Sequence, residues 1–211
     1  MCPKVTEEYK KARRRTIIEA ASEVFTRTGY TKTTMQHIIE EVGLSRGAVY
    51  DYFHNKEQLF QAVIEQEDEN TWERLASLKG TQPLWPVLEQ YILASEPDSP
   101  YNPEASKRTS VHVEYVIQGG HDEERRTWLL QRYEKFVTAL LEVLQAGVAS
   151  DEFHPVLPLD VIVRFVLSAN DGMNLSVIAA GSEAIDYARQ TQALRDFLFY
   201  ALRPKTENSP R

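Results

Sequence analysis

Cysteine is almost missing from this sequence, its one instance being Cys2. That excludes an intramolecular disulfide framework and a cysteine-ligated zinc centre, and it fits a reducing cytoplasm. No run of about 18 apolar residues is present, so no transmembrane helix and no membrane partner are expected. The chain turns charged soon after Met1, without the apolar core of a signal peptide. The histidines at 37, 54, 112, 121 and 154 fall at no ligand-like spacing, so neither a metal site nor a cofactor is expected. A glycine-rich phosphate loop and a nucleophile elbow are also missing, which argues against an enzyme and leaves no catalytic residue to nominate. Finally, no segment alternates apolar and polar residues between turn signals, so no sheet is expected.

What is there is helical periodicity, almost throughout. Ile17, Ile18, Ala21, Val24 and Phe25 recur at steps of three and four, predicting a first helix over 10–27 that Gly29 closes. Thr33 with Gln36 three residues on reads as a capping box, opening a second helix as far as about 41. Gly43 makes a break, Ser45 can cap a third helix over 46–52, and Asn55 with Gln58 opens a long fourth helix to about 78. Further helices are expected over 84–95, 104–118, 122–149, 159–180 and 182–202, separated by glycine or proline breaks, with a frayed polar tail after them. The fold class is therefore all-α, about nine helices.

Charge is distributed unevenly. The net charge of −7 opposes nucleic-acid binding for the chain as a whole. Yet residues 1–60 hold ten Lys/Arg against eight Asp/Glu, and the densest basic stretch is Lys10, Lys11, Arg13, Arg14 and Arg15. Only this part suits a polyanion. It also carries the most informative spacing. The helices flanking Glu41-Val-Gly-Leu-Ser45 form a helix-turn-helix over about 34–53. Ile38, Val42, Leu44, Val49 and Phe53 are spaced to pack it inward, leaving Arg46, Gly47, Tyr50 and Asp51 on one outer side. Arg46 suits guanine O6 and N7, Ala48 a thymine methyl, and bare Gly47 a close backbone approach. Tyr50, Tyr52, Thr34 and Lys56 suit phosphate oxygens, as do the free N–H groups opening the second helix.

The run Arg15-x-x-Ile18, Ala21, Phe25, Gly29-Tyr30, Thr33-Thr34, Ile38, Gly43-Leu-Ser-Arg-Gly-Ala-Val-Tyr50-Asp-Tyr-Phe53, Lys56-Glu57-x-Leu59 closely resembles the signature of the TetR family of transcriptional regulators. The resemblance implies a DNA-binding domain over 11–71, an effector-binding and dimerisation domain over 72–203, and a flexible tail over 204–211. The DNA-binding residues it implies are Thr34, Ser45, Arg46, Gly47, Ala48, Tyr50, Tyr52 and Lys56. Ile39 and Val42 depart from the family's usual alanines, and Asp51 puts an acid where a basic, polar or aromatic residue is common. Beyond residue 60 the resemblance thins to helix count and two echoes, Gly147…Glu152-Phe153 and Asp171-Gly172.

One such module covers about half of a two-fold site, so a homodimer is expected. The last two helices are apolar over more than one face, with Phe165, Ala169, Met173, Leu194, Phe197 and Leu198 as interface candidates. By the same resemblance the fourth to seventh helices enclose an effector cavity, with Trp72, Trp85, Tyr91, His112, Tyr115, Trp128, Phe136, Phe165 and Asn170 as lining candidates. Aromatic walls with a few polar groups suit an apolar or aromatic small molecule. The sequence thus points to a repressor that binds a palindromic double-stranded DNA operator and is released by an effector. The alternative is an effector-independent regulator controlled by a protein partner, which a cavity filled by side chains would favour.

Overall fold

A computed structural model describes residues 6–93, 103–119 and 122–205, with the side chains of 90–93 and 103–106 outside the description. Among these residues the order is α1 (Glu7–Thr28), α2 (Met35–Val42), α3 (Arg46–Tyr50), α4 (Lys56–Leu78), α5 (Leu84–Leu93), α6 (Pro103–Gln118), α7 (Glu123–Ala149), α8 (Leu159–Ala180) and α9 (Tyr187–Leu202).

The helix starts follow the chain's own capping chemistry. Ser45 Oγ accepts from Ala48 N at 3.3 Å and Asn55 Oδ1 from Gln58 N at 2.8 Å, as the sequence predicts. At α2 the cap is Thr34, whose hydroxyl accepts from His37 N, and not Thr33. Thr33 is buried, and its hydroxyl donates to Gly29 O at 2.6 Å, stitching the α1–α2 turn from inside. α1 begins earlier than its apolar stripe implies, because Thr6 caps it and Glu7 and Glu8 favour the positive end of the helix dipole. α9 begins later than expected: Gly181 ends α8, and turns occupy the chain to Asp186, which sits in the left-handed region at φ 50°.

Two apolar cores result. The first joins α1, α2, α3, the first half of α4 and the end of α6 around Ile17, Ile38, Val49 and Phe60. Its centre is aromatic: Phe60 lies 4.7 Å from Phe25, 5.0 Å from Tyr30 and 4.9 Å from Tyr115, ring centre to ring centre. The second core joins the end of α4 with α5, α7, α8 and α9 around Leu75, Val143, Phe153, Ile162 and Leu202. α4 is continuous and serves both, Phe60 to Ile64 in the first and Leu75 and Leu78 in the second. A division at 71/72 therefore falls inside one unbroken helix.

The Gly147…Glu152-Phe153 echo has a packing cause. A Cβ on Gly147 would lie within the buried Phe153 ring, so only glycine lets that ring close over α7. Glu152 then caps α5, its carboxylate accepting from Leu84 N at 2.7 Å and Trp85 N at 2.6 Å. The same loop holds the start of the tail that the sequence leaves free. Lys205 N donates to Glu152 O at 2.8 Å, and Pro204 pairs with Phe153, so residues 204 and 205 are tied down; 206–211 lie outside the described residues. By length and mean hydropathy alone α8 would pass for a bilayer span. It carries Arg164, Asn170, Asp171 and Asn174, however, and packs on α6, α7 and α9.

Candidate DNA interface and effector cavity

α3 is short because its ends are fixed from outside. Gly43 takes φ 68° and ψ 23°, a left-handed geometry that glycine adopts without Cβ strain, and this turns the chain from α2 into Ser45. Val49 is the inward anchor, wholly buried against the first core, with Phe53 just beyond it. Ser45, Arg46, Gly47 and Asp51 consequently face solvent. The Arg46 guanidinium lies over the Tyr50 ring at 5.2 Å, which holds it beside the helix without neutralising it. A Cβ on Gly47 would meet nothing within 4 Å, so packing within the chain does not demand a glycine there. Asp51 makes no ion pair with Arg46 or His54 among the described residues.

Two further features join this face. Arg14 sits 5.2 Å over the Phe53 ring, which brings the basic start of α1 alongside α3. That basic stretch is visible in the sequence, but its position beside the outer face is not. Lys56 is placed differently from a free phosphate contact. Its ammonium donates to Tyr30 O at 2.8 Å and Thr31 O at 3.4 Å, and lies 4.4 Å over the Tyr30 ring. Burial lowers its pKa from the ordinary lysine value.

Behind this face, α6 and α7 grip the module. Glu114 of α6 accepts from Tyr30 N at 2.8 Å and Thr31 N at 3.0 Å, and also from the Thr31 hydroxyl. Burial pushes the Glu114 carboxyl up, but the donors from Thr31 and Tyr30 outweigh it and leave the pKa below the ordinary value. Arg125 of α7 donates to both Glu57 oxygens, at 2.7 and 3.1 Å, and Tyr115 donates to the same carboxylate at 3.0 Å. The Arg125 hydrogen bonds hold the Glu57 carboxyl below its usual range. Burial drives the Tyr115 phenol far upward, so it remains a donor.

A cavity of about 700 Å³ lies among α4, α6, α7, α8 and α9. Of the residues nominated from sequence, His112, Phe136 and Asn170 line it. Met173, Leu194 and Leu198, nominated for the dimer interface, line it too and are buried. Trp85 is instead buried in the second core, 5.4 Å from the Phe199 ring, and Tyr115 is buried in the first. The side chain of Tyr91 lies outside the described residues. Trp72 and Trp128 face a separate groove of about 310 Å³ between α4 and α7. Phe165 is half exposed on the outer side of α8, its ring 4.5 Å from that of half-buried Phe197, and Ala169 is half-buried.

Sequence reasoning missed the ionic wall of the cavity. Arg132 of α7 makes a two-pronged bond to Asp68 of α4, Nε to Oδ2 at 2.6 Å and Nη2 to Oδ1 at 2.8 Å. Glu67 meets His112 at 3.1 Å. Asp171, beside the wall but not lining the cavity, is exposed, yet desolvation by the chain around it raises its carboxyl pKa against the pull of Arg132. Thr191 contributes the one buried side-chain polar atom without a partner among the described residues. Asp68 and Arg132 stand 64 residues apart, and periodicity along either helix carries no sign of the other.

An outward-facing third helix with an Arg and a Gly, set on a three-helix module and backed by a separate helical domain, defines a helix-turn-helix DNA-binding regulator. Comparison with known proteins agrees. Residues 17–63 match the family model described as bacterial regulatory proteins, tetR family, and residues 89–187 match the tetracyclin repressor-like, C-terminal domain. The chain is 35% identical over 198 residues to the HTH-type transcriptional regulator YfiR of Bacillus subtilis, covering 94% of this chain and 96% of that one. It is 25% identical over 181 residues to the HTH-type transcriptional repressor Rv1474c of Mycobacterium tuberculosis, covering 86% and 90%. The solved SmeT–triclosan complex shares the fold, with a TM-score of 0.73 at 19% identity over 95% of this chain and 99% of that one. The chain belongs to the TetR family, and is a transcriptional regulator and not an enzyme.

Proposed function

We propose that this chain is a cytoplasmic repressor that binds a palindromic operator as a homodimer and leaves it when a small molecule occupies the central cavity. The observation that carries the DNA half is the outer face of α3: Arg46 unneutralised, Gly47 open, Tyr50 beside them. Base-edge contacts fall to Arg46 and Ala48, and phosphate contacts to Thr34, Ser45, Tyr50, Tyr52 and the start of α1. The dimer rests on α8 and α9. Val161, Phe165 and Leu175 on α8 and Phe199 and Tyr200 on α9 are exposed large apolar residues that a second copy could cover.

The release half rests on the cavity and on α6. Thr109 and His112 line the cavity, and Glu114, two residues further, holds the α1–α2 turn. A ligand that displaces α6 thus displaces the DNA-binding module. Release requires the ligand to bind the displaced state more tightly than the DNA-bound one. An open cavity of about 700 Å³ supports this reading over control by a protein partner alone. The repressor name of the Mycobacterium tuberculosis relative and the triclosan of the SmeT complex point the same way.

The test is operator selection from a random DNA pool, followed by a ligand screen on the complex by fluorescence anisotropy. A palindrome should be recovered, with two protomers bound and at least one ligand class releasing it. Recovery of an asymmetric site bound by one protomer overturns the dimer reading. A complex that no ligand class loosens overturns the effector reading.

A further inference from the structure

The cavity and the α4–α7 groove share two residues, Asp68 and Arg132, so their ion pair lies in the partition between them, beside the contact of the Trp72 and Phe136 rings at 4.3 Å. The groove is built from two helical stripes at i, i+3, i+4, i+7: Glu65, Asp68, Glu69 and Trp72 on α4, and Trp128, Gln131, Arg132 and Lys135 on α7. With Asp68 and Arg132 cancelling each other, two acids face one lysine. Glu65, Glu69 and Lys135 are exposed and have no ion pair among the described residues. Two tryptophans wall the groove, and across the partition Phe136 lies in the cavity, 5.0 Å beneath the Arg132 guanidinium.

The two ions of the partition are not equivalent. The Asp68 side chain is 9% exposed, on a short stem in a helix that serves both cores. The Arg132 side chain is 28% exposed, on a long stem that can swing toward water. A group that opens the partition therefore moves Arg132 and leaves Asp68 in place. An uncompensated buried carboxylate is strongly disfavoured, so only a cation can take the vacated position at low cost. Arg74 and Arg108 also line the cavity, but each is already engaged in an interaction of its own.

Resting on the effector reading above, we propose that the ligand is a lipophilic organic cation, admitted between Trp72 and Trp128, whose charge replaces Arg132 at Asp68. Its apolar body then enters the cavity beside Phe136, Leu140 and Leu167. Tryptophan faces attract cations electrostatically, and they do so most where water is excluded.

Tetraphenylphosphonium and tetraphenylborate, matched in shape and opposite in sign, make the probe pair. Their binding to the full chain is read by calorimetry and by quenching of tryptophan fluorescence, with no DNA present. The phosphonium should bind at least tenfold more tightly than the borate. Asp68→Asn should erase that preference, while Arg132→Gln, which removes the competing cation, should strengthen phosphonium binding several-fold. Folding of each variant is checked by circular dichroism, and Glu69→Gln, on the exposed rim, gives a milder second reading with a two- to threefold loss. Equal or reversed affinity of the two ions, or a preference that survives both Asp68→Asn and Glu69→Gln, overturns the proposal, as does failure of the phosphonium to bind. Should another chemical class release operator DNA while the phosphonium does not bind, the effector reading stands and this inference alone falls. Phosphonium binding that never loosens the DNA complex keeps the site and removes its assigned role.

Discussion

Arg46 and Gly47 separate a structural from a functional reading at the level of single side chains. Nothing in the chain fills the space beside Gly47, so Gly47→Val should keep the helical circular dichroism and lower Tm by only a few degrees, the usual effect of a β-branched residue at a helix start. Operator affinity should nevertheless fall at least tenfold, since the added methyls stand where the groove must come close. Unchanged affinity would remove α3 from the interface. Arg46→Ala should cost about 1–3 kcal/mol of operator binding and relax base preference at one position of each half-site, read by competition with single-base variants. Lys56 makes a contrasting case. Because its ammonium is spent on Tyr30 O and Thr31 O, Lys56→Ala should lower stability by about 1–2 kcal/mol while leaving the salt slope of DNA binding intact. A slope reduced by about one, at unchanged Tm, would restore Lys56 as a phosphate contact.

The elements show where the sequence was legible. Caps at Ser45 and Asn55 could be read because their chemistry is local: an oxygen, then an amide three residues on. Thr33 was misassigned because two adjacent threonines offer the same oxygen, and only the burial of one against Gly29 decides between them. The three-helix module was readable because its core repeats at short sequence distances. The cavity was not, since aromatic residues qualify equally for wall and core; Trp85 and Tyr115 went to the cores, Phe136 to the wall. The grip of α6 on the α1–α2 turn, spanning residues 84 apart, had no local sign either. It carries a pH prediction. Glu57 and Glu114 both have pKa values depressed below 4.5 in the folded chain. Their contribution is fully present above that ordinary value and is lost as pH falls through the lower, folded one. Tm should therefore drop on acidification below about pH 4.5, and the drop should be shallower in Glu114→Gln, which is already partly released at neutral pH. An identical pH profile in the two proteins would mean that the grip adds no stability.

For the molecule as a whole, the question is what covers α8 and α9. Phe165 is 50% exposed, its ring set at a tilt against that of Phe197, with exposed Val161 one turn away, which makes a ready apolar centre for a second copy. Phe165→Asp would place a charge at that centre, where desolvation without a partner is costly. The unaltered chain should sediment as a dimer and the variant, at the same concentration, as a monomer that binds a half-site as weakly as a full palindrome. A variant that stays dimeric would move the interface elsewhere.

The unbroken course of α4 through both cores has a mechanical consequence. Its 23 residues make a rod of roughly 35 Å, anchored by Leu75 and Leu78 at one end and carrying the DNA-binding module at the other. A tilt of about 5° at the anchored end would swing the far end by roughly 3 Å. In a two-fold assembly the displacements of the two modules add, to about 6 Å against the roughly 34 Å between successive major grooves. If the chain acts as the proposed dimer, a disturbance at the cavity too small to melt any helix would be geared up into a misfit that two recognition helices could not share on straight DNA.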